Sequence, residues 1–199
     1  MKKRIITISR EFGSGGRTIG RMVAERLQVA CYDKELVREV AQKTGFDENY
    51  VEQEGEDAPV RSRLAYAFSA HGVQGGLSGM SNEDYLWASQ YRTIQELADK
   101  APCVIVGRCA DYVLRERDDC LNVFIHAPVA DRAERIVRLY GETQDSPYKR
   151  LEDKDKKRKL YYNYYTGREW GMSQNYHLSL DSSMIGQQAC IDIIVGLVD

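Results

Sequence analysis

Between residues 5 and 19 the chain reads ITISREFGSGGRTIG. Gly13, Ser14, Gly15 and Gly16 are followed by Arg17 and Thr18, an order of residue types suited to holding phosphate. Glycines let the backbone curl until successive N–H groups point inward, and a helix starting at the loop adds partial positive charge. Arg17 would stand beside the β- and γ-phosphates of a nucleotide, and the Thr18 hydroxyl would be placed for Mg²⁺. Two residues depart from the GxxxxGK[ST] pattern. Arg17 replaces lysine and brings a planar, bidentate cation in place of a point charge, and Glu11 stands where the leading glycine is expected. The dinucleotide pattern GxGxxG fails, because Gly13, Gly15 and Gly16 run into Arg17 and Thr18. A tight strand-to-helix turn without a ligand is the other reading of the same residues.

Further along, Arg108 follows the apolar run PCVIVG. That places it at the carboxyl edge of a strand, where ligands sit in open α/β sheets. Arg61 and Arg63 are candidates for an acceptor's phosphate. The run from Lys149 to Lys159 holds seven basic residues against three acidic ones. On a helix, Lys154 and Arg158 share a face at i, i+4, and the alternative for this run is a solvated charged helix. Tyr161, Tyr162, Tyr164, Tyr165 and Trp170 suit either stacking on a base or packing a mobile segment against the core. His71 and His126 lack the partners of a triad or a metal cluster.

The elements that must position these groups follow from periodicity. Ile5, Ile6 and Ile8 form a strand suited to burial on both faces. Ile19, Met22, Val23 and Leu27 recur at helical spacing beyond the loop. Val29–Tyr32 predicts a second strand, and a helix runs from Lys34 to about Lys43. Two more strands lie in PCVIVGR and CLNVFIHAP, the latter leading into a helix marked by Val129, Ala133, Ile136, Val137 and Tyr140. A fifth lies in YHLSLDSS, before a helix carrying Ile185, Ala189, Ile193, Ile194 and Leu197, with Asp181, Ser182 and Ser183 expected to cap its start. Strands alternating with helices predict an α/β fold with a parallel sheet. Residues 44–81 and 142–172 break the alternation and read as insertions over the functional edge of that sheet. The expected core is therefore 1–43, 82–141 and 173–199 of a single domain.

At 199 residues with 43% hydrophobic and 29% charged side chains, the chain can bury a sizeable core as a soluble globular protein. A formal net charge of −2 argues against dedicated nucleic-acid binding. No uninterrupted apolar run approaches the ~18 residues of a membrane span, and MKKRIITIS is too short in its apolar part for a signal peptide. The five scattered cysteines show no CxxC spacing, which disfavours zinc or a disulfide framework and suits a reducing cytoplasm. Monomer and homodimer stay open.

Three segments, ITISREFGSGGRTIGRMVAERLQVACYDKELV, VIVGRCADYVL and DKDKKRKLYYNYYTGREWG, resemble the cytidylate kinase-like proteins, a branch of the P-loop nucleoside monophosphate kinases. The resemblance implies a three-layer α/β P-loop kinase fold with a five-stranded parallel sheet, an acceptor-binding insertion at 44–81 and a lid at 142–172. It implies ATP and Mg²⁺ as cofactors, with the loop from Gly13 to Thr18 on the donor phosphates and Thr18 and Asp33 toward the metal. Asp33 would also stand near the acceptor, and Arg38 lies close to the position of an acceptor-gripping arginine. Arg108 corresponds to the arginine of the Gly-Arg-Asp hallmark, Cys109 replaces its aspartate, and Asp111 is a candidate substitute. Lys154, Arg158 and Arg168 would clamp phosphates as a lid closes. Arg17, Asp33 and Arg158 are the expected catalytic residues. The expected activity is phosphoryl transfer from ATP to a nucleoside monophosphate, CMP or dCMP first. A nucleotide sensor with the same fold and little transfer is the alternative, as is a kinase for a non-nucleotide acceptor.

Overall fold

The structure, a computed structural model, describes residues 4–55 and 81–198. Strands β1 (Ile5–Arg10), β2 (Ala30–Tyr32), β3 (Cys103–Val106), β4 (Cys120–His126) and β5 (Leu178–Asp181) form one parallel sheet in the order β2-β3-β1-β4-β5. The central β1 pairs on both sides, Ile5 lying opposite Cys103 and Cys120 and Ile8 opposite Val106 and Val123. The helices are α1 (Gly16–Leu27), α2 (Lys34–Thr44), α3 (Glu48–Glu54), α4 (Asn82–Lys100), α5 (Ala110–Val113), α6 (Val129–Tyr140), α7 (Pro147–Thr166) and α8 (Gln187–Gly196). This is the α/β fold with a parallel sheet expected from the alternation of elements, in the three-layer form that the family resemblance implies.

Burial on both faces explains why these strands are mostly apolar, and the buried Thr7 hydroxyl of β1 donates to the buried Asn122 of β4 at 2.7 Å. Ile6, Ile8, Val104, Val106, Val123 and Ile125 pack toward α1 and α8, against Ile19, Val23, Ile191 and Ile194. Ile5, Cys103, Ile105 and Cys120 join Leu36 and Val40 of α2 and Leu86 and Ile94 of α4 on the other face. The layers hold the carboxyl ends of β1, β3 and β4 side by side. The segments leaving those ends hold Gly13–Thr18, Arg108 and Ala127.

Two helix readings are corrected. The last helix does not start at Asp181–Ser183: the Asp181 carboxylate accepts the N–H groups of Ser183 and Met184, which closes a separate turn, and the helix begins at Gln187. Its buried face is Cys190, Ile191, Ile194 and Val195, whereas Ile193 and Leu197 are exposed. On α6, Val129 and Tyr140 are exposed, and the buried positions are Arg132, Ala133 and Ile136. An arginine thus takes a place on the face that apolar spacing alone would give to valine. Arg61, Arg63 and His71 lie outside the described residues.

Candidate active site

The turn from β1 into α1 is built by backbone conformations that few residues adopt. Gly13 and Gly15 sit at φ 79° and 84°, a region costly for side chains with a Cβ. At Gly13 a Cβ would also meet the Arg132 carbonyl oxygen at 2.9 Å. Ser14 is fully buried, its hydroxyl donating to the Glu11 carbonyl (2.9 Å) and its own carbonyl accepting from the Ser182 hydroxyl (2.5 Å). The first helical bond runs from Ile19 N–H to the Gly15 carbonyl at 3.0 Å. The N–H groups of Gly16, Arg17 and Thr18 precede it, so the first turn presents them without an intrahelical acceptor. That is the arrangement with which a helix N-terminus binds an anion.

Above this turn lies a small cleft that opens to solvent. Its floor includes Gly15, Gly16, Arg17 and Thr18, and Arg10, Arg135 and Arg158 bring three further guanidinium groups to its lining. Burial and the neighbouring Arg138 push the Arg135 guanidinium below its ordinary pKa. At one end Tyr140 stacks on Phe12, ring centroids 6.0 Å apart, with Leu139 beside it. Four arginines around an N–H cradle make a place where several negative charges can be held together.

Arg17 and Asp33 are brought together. Arg17 Nε lies 3.1–3.2 Å from both carboxylate oxygens of Asp33, the residue that closes β2 and precedes α2. Two hard oxygen donors therefore lie near the cleft, the exposed Thr18 hydroxyl on its floor and the Asp33 carboxylate reached by the adjacent Arg17. No group of three or more His, Cys, Asp or Glu that could hold a metal occurs among the described residues. The donor set fits Mg²⁺ held by one or two protein oxygens and otherwise by phosphate and water.

At the end of β3 the chain makes an unusual turn. Gly107, Arg108 and Cys109 have φ of 75°, 58° and 55° in succession. For two non-glycine residues this costs roughly 1–2 kcal/mol each. The turn drives Arg108 inward to 6% exposure. There its Nη1 donates to the Val51 carbonyl (3.0 Å) and to Gln90 Oε1 (2.8 Å). Gln90 in turn donates to the Tyr161 hydroxyl at 3.0 Å, linking α4 to α7. Gly55 packs so close that a Cβ would lie 1.9 Å from Arg108 Nη1.

Asp111, expected as an acceptor contact, is buried among the described residues. It is 1% exposed and accepts from the Tyr162 hydroxyl (2.6 Å) and the Ser9 hydroxyl (3.2 Å). Burial raises its pKa, the two hydrogen bonds opposing. A folded pKa above the unfolded one means that the folded chain holds the proton more tightly. The stability this group contributes is then full below the unfolded value and falls as pH rises from about 4. Asp111→Asn is expected to flatten the pH dependence of urea unfolding midpoints above that point. Tyr162→Phe, which removes a hydrogen bond to a buried carboxyl, is expected to cost about 1–3 kcal/mol by the same assay.

The aromatic cluster packs. Cys109, Phe124, Tyr161, Tyr162, Trp170 and Tyr176 form one buried group between the sheet edge and α7, and Tyr165 stacks on Trp87 at 4.4 Å. On α7 the inward stripe is Leu151, Asp155, Arg158 and Tyr162, while Lys156, Lys157 and Lys159 are exposed. Arg158 Nη1 donates to the Arg10 carbonyl at 3.2 Å. Lys154 is half-buried one turn away and is not among the residues lining the cleft. Arg168 stands over the Tyr112 ring at 5.2 Å, also away from the cleft lining. Arg38 is exposed on α2, and no ion pair is found for it among the described residues.

Sequence reasoning missed Arg10, Arg132, Arg135 and Asp155. The usable signal was helical phase: Arg132 lies four residues before Ile136, and Asp155 four after Leu151, so both fall on buried stripes.

The family model for the cytidylate kinase-like family matches residues 5–184. The chain belongs to that family. A cytidylate kinase from Pyrococcus furiosus is 29% identical over 105 residues, 52% of this chain and 53% of that protein, so the match spans about half of the relative. An uncharacterized protein from Eubacterium ventriosum superposes with a TM-score of 0.73 at 25% identity, covering 99% of both chains. A shikimate kinase from Acinetobacter baumannii in complex with shikimate has a TM-score of 0.55 at 17% identity over 98% of this chain and 93% of its own. That last likeness is one of fold. Membership of the cytidylate kinase-like family fits a β1–α1 turn with a phosphate-binding geometry. Among the described residues, no helix of this family member is long and apolar enough to cross a membrane, and all five cysteines are free thiols.

Proposed function

We propose that the protein is an ATP-dependent phosphotransferase whose acceptor is a small phosphorylated molecule, with CMP and dCMP the first candidates. One observation carries this reading: Gly16, Arg17 and Thr18, whose N–H groups precede the first helical bond of α1, share a cleft with Arg10, Arg135 and Arg158. Donor phosphates lie over the loop, where the N–H cradle and the guanidinium groups hold charge in a partly dry site. Arg17 leaves Asp33 to take a phosphate oxygen. The exposed ring of Tyr140 and the side chain of Leu139 offer a flat apolar flank to the donor's base. Thr18 and Asp33 would hold Mg²⁺, whose chemistry there would be to neutralise phosphate charge.

Arg108, at the neighbouring strand end, is the acceptor's anchor. Its strained turn and its fixed partners Gln90 and Val51 hold the guanidinium in one orientation before the acceptor arrives, which saves ordering cost on binding. Cys109 stands where the family hallmark has aspartate, and it is packed in the aromatic group with 5% exposure. Acceptor recognition at this turn therefore rests on arginine and phosphate, with less discrimination of the base than a carboxylate would give. The name of the Pyrococcus furiosus relative supports a nucleotide acceptor, and the shikimate kinase fold neighbour keeps hydroxyl acceptors in the assay.

The test is an ADP-release screen with Mg-ATP over nucleoside monophosphates and small hydroxyl acceptors. Turnover with at least one monophosphate is expected. Tight ATP binding with no turnover on any acceptor would replace this reading with that of a nucleotide sensor.

A further inference from the structure

Glu11 occupies the place of the loop's usual leading glycine, and its surroundings say what replaces that glycine. The Glu11 carboxylate accepts from the Ala127 N–H (3.2 Å) and lies 3.3 Å from Arg132 Nε. The next peptide groups are held by side chains as well. Phe12 N–H donates to Asp155 Oδ1 at 2.8 Å, the Phe12 carbonyl accepts from Arg132 Nη1 at 3.1 Å, and the Gly13 carbonyl accepts from Arg135 Nη1 at 2.7 Å. Arg132 and Asp155 close the arrangement with an Nη1–Oδ2 contact of 2.6 Å, their side chains only 6% and 12% exposed.

From these contacts we infer that Asp155, with Arg132, is the positioning residue of the phosphate loop, a clasp by which helix α7 sets the conformation of the donor site. The inference rests on the donor-site reading given above. A glycine-led loop can reach its shape through backbone freedom alone; this loop is held from outside by carboxylate and guanidinium groups. In a buried setting such bonds are strong and directional. With the ascending limb from Glu11 to Gly13 fixed, the N–H groups of Gly16, Arg17 and Thr18 keep their aim into the cleft. Docking of α7 and completion of the donor site become one event. An acidic residue in the middle of a basic run thereby has a specific task, because only a carboxylate at position 155 can accept from Phe12 N–H and pair with Arg132 at once.

Asp155 touches no donor atom, so its role must be separated from general stability. The comparison is Asp155→Ala, Asp155→Asn and Tyr162→Phe, the last loosening α7 at its other anchor, Asp111. Amide hydrogen exchange in the ligand-free proteins is expected to quicken across Phe12–Thr18 in Asp155→Ala and to stay at the wild-type level in Tyr162→Phe. Mg-ATP affinity, measured by calorimetry where all variants are folded, is expected to fall about 10- to 100-fold in Asp155→Ala, as for other groups that act from behind a ligand shell. Asp155→Asn, which keeps an acceptor oxygen but loses the charge, should fall between. Loop exchange unchanged in Asp155→Ala, or raised equally by Tyr162→Phe, would overturn the clasp. A wild-type protein that takes up no Mg-ATP would undo the donor-site reading, while the exchange data still decide the clasp.

Discussion

Arg17→Ala is expected to lower phosphoryl transfer on the order of 10³-fold or more, in line with the loss of an arginine that neutralises charge in a phosphoryl transition state. The fold should hardly notice. The Arg17 side chain is 42% exposed, and its pairing with Asp33 is the one ion pair described for it, worth up to about 1 kcal/mol at such exposure. Alanine is also a better helix former at the second position of α1. Kinetics and stability therefore separate: steady-state rates collapse while the thermal midpoint stays within a few degrees of wild type. Arg17→Lys is a sharper probe. Lysine is the usual residue at this place, yet here the cleft is walled by Arg10, Arg135 and Arg158 and the partner is Asp33. Lysine keeps the charge and loses the second guanidinium donor, so it should retain measurable turnover well below wild type. Equal rates in wild type and Arg17→Ala, measured by coupled ADP release, would remove Arg17 from the chemistry.

Arg108→Ala is expected to act on both acceptor use and stability. It leaves Gln90 Oε1 and the Val51 carbonyl without their buried donor, and a buried acceptor left unsatisfied costs about 1–3 kcal/mol. A separate loss should appear in kcat/KM for the acceptor, while Mg-ATP affinity remains near wild type because Arg108 is not among the residues lining the donor cleft. Arg108→Gly provides the control for backbone strain. Glycine accepts φ 58° without penalty, so it should recover part of the stability and none of the acceptor affinity. Initial rates at varied acceptor and at varied ATP, with urea melts alongside, resolve the three effects. An unchanged acceptor KM in both variants would show that the strained turn serves the fold alone.

The strands were legible because a parallel sheet buries both faces, which leaves dense apolar runs such as Ile5, Ile6 and Ile8 and Cys103–Val106. The turn between β1 and α1 was legible because left-handed backbone favours glycine, and Gly13 and Gly15 stand where that conformation occurs. What supports the loop was not legible. Arg132 and Asp155 look like surface charges in sequence, since burial of an ion pair depends on two helices meeting, and α6 and α7 meet only in the folded chain. The burial of Asp111 was hidden for the same reason. Two residues from Cys109 it resembled a displaced acceptor carboxylate, yet the left-handed turn at Arg108 and Cys109 rotates it under Tyr162 and Ser9. The start of α8 moved because the Asp181 carboxylate caps a turn of its own before the helix begins. Each miss concerns a polar side chain whose partner comes from a distant part of the chain.

The central claim is that donor phosphates sit on the turn between β1 and α1, with Arg17 in the charged role. Titration of ¹⁵N-labelled protein with Mg-ATP, followed by amide chemical shifts, tests it most directly. The largest shifts are predicted at Gly15, Gly16, Arg17 and Thr18, with the Arg17 side-chain Nε resonance moving as it leaves Asp33. Saturable shifts elsewhere on the protein, with these four amides unmoved, would contradict it.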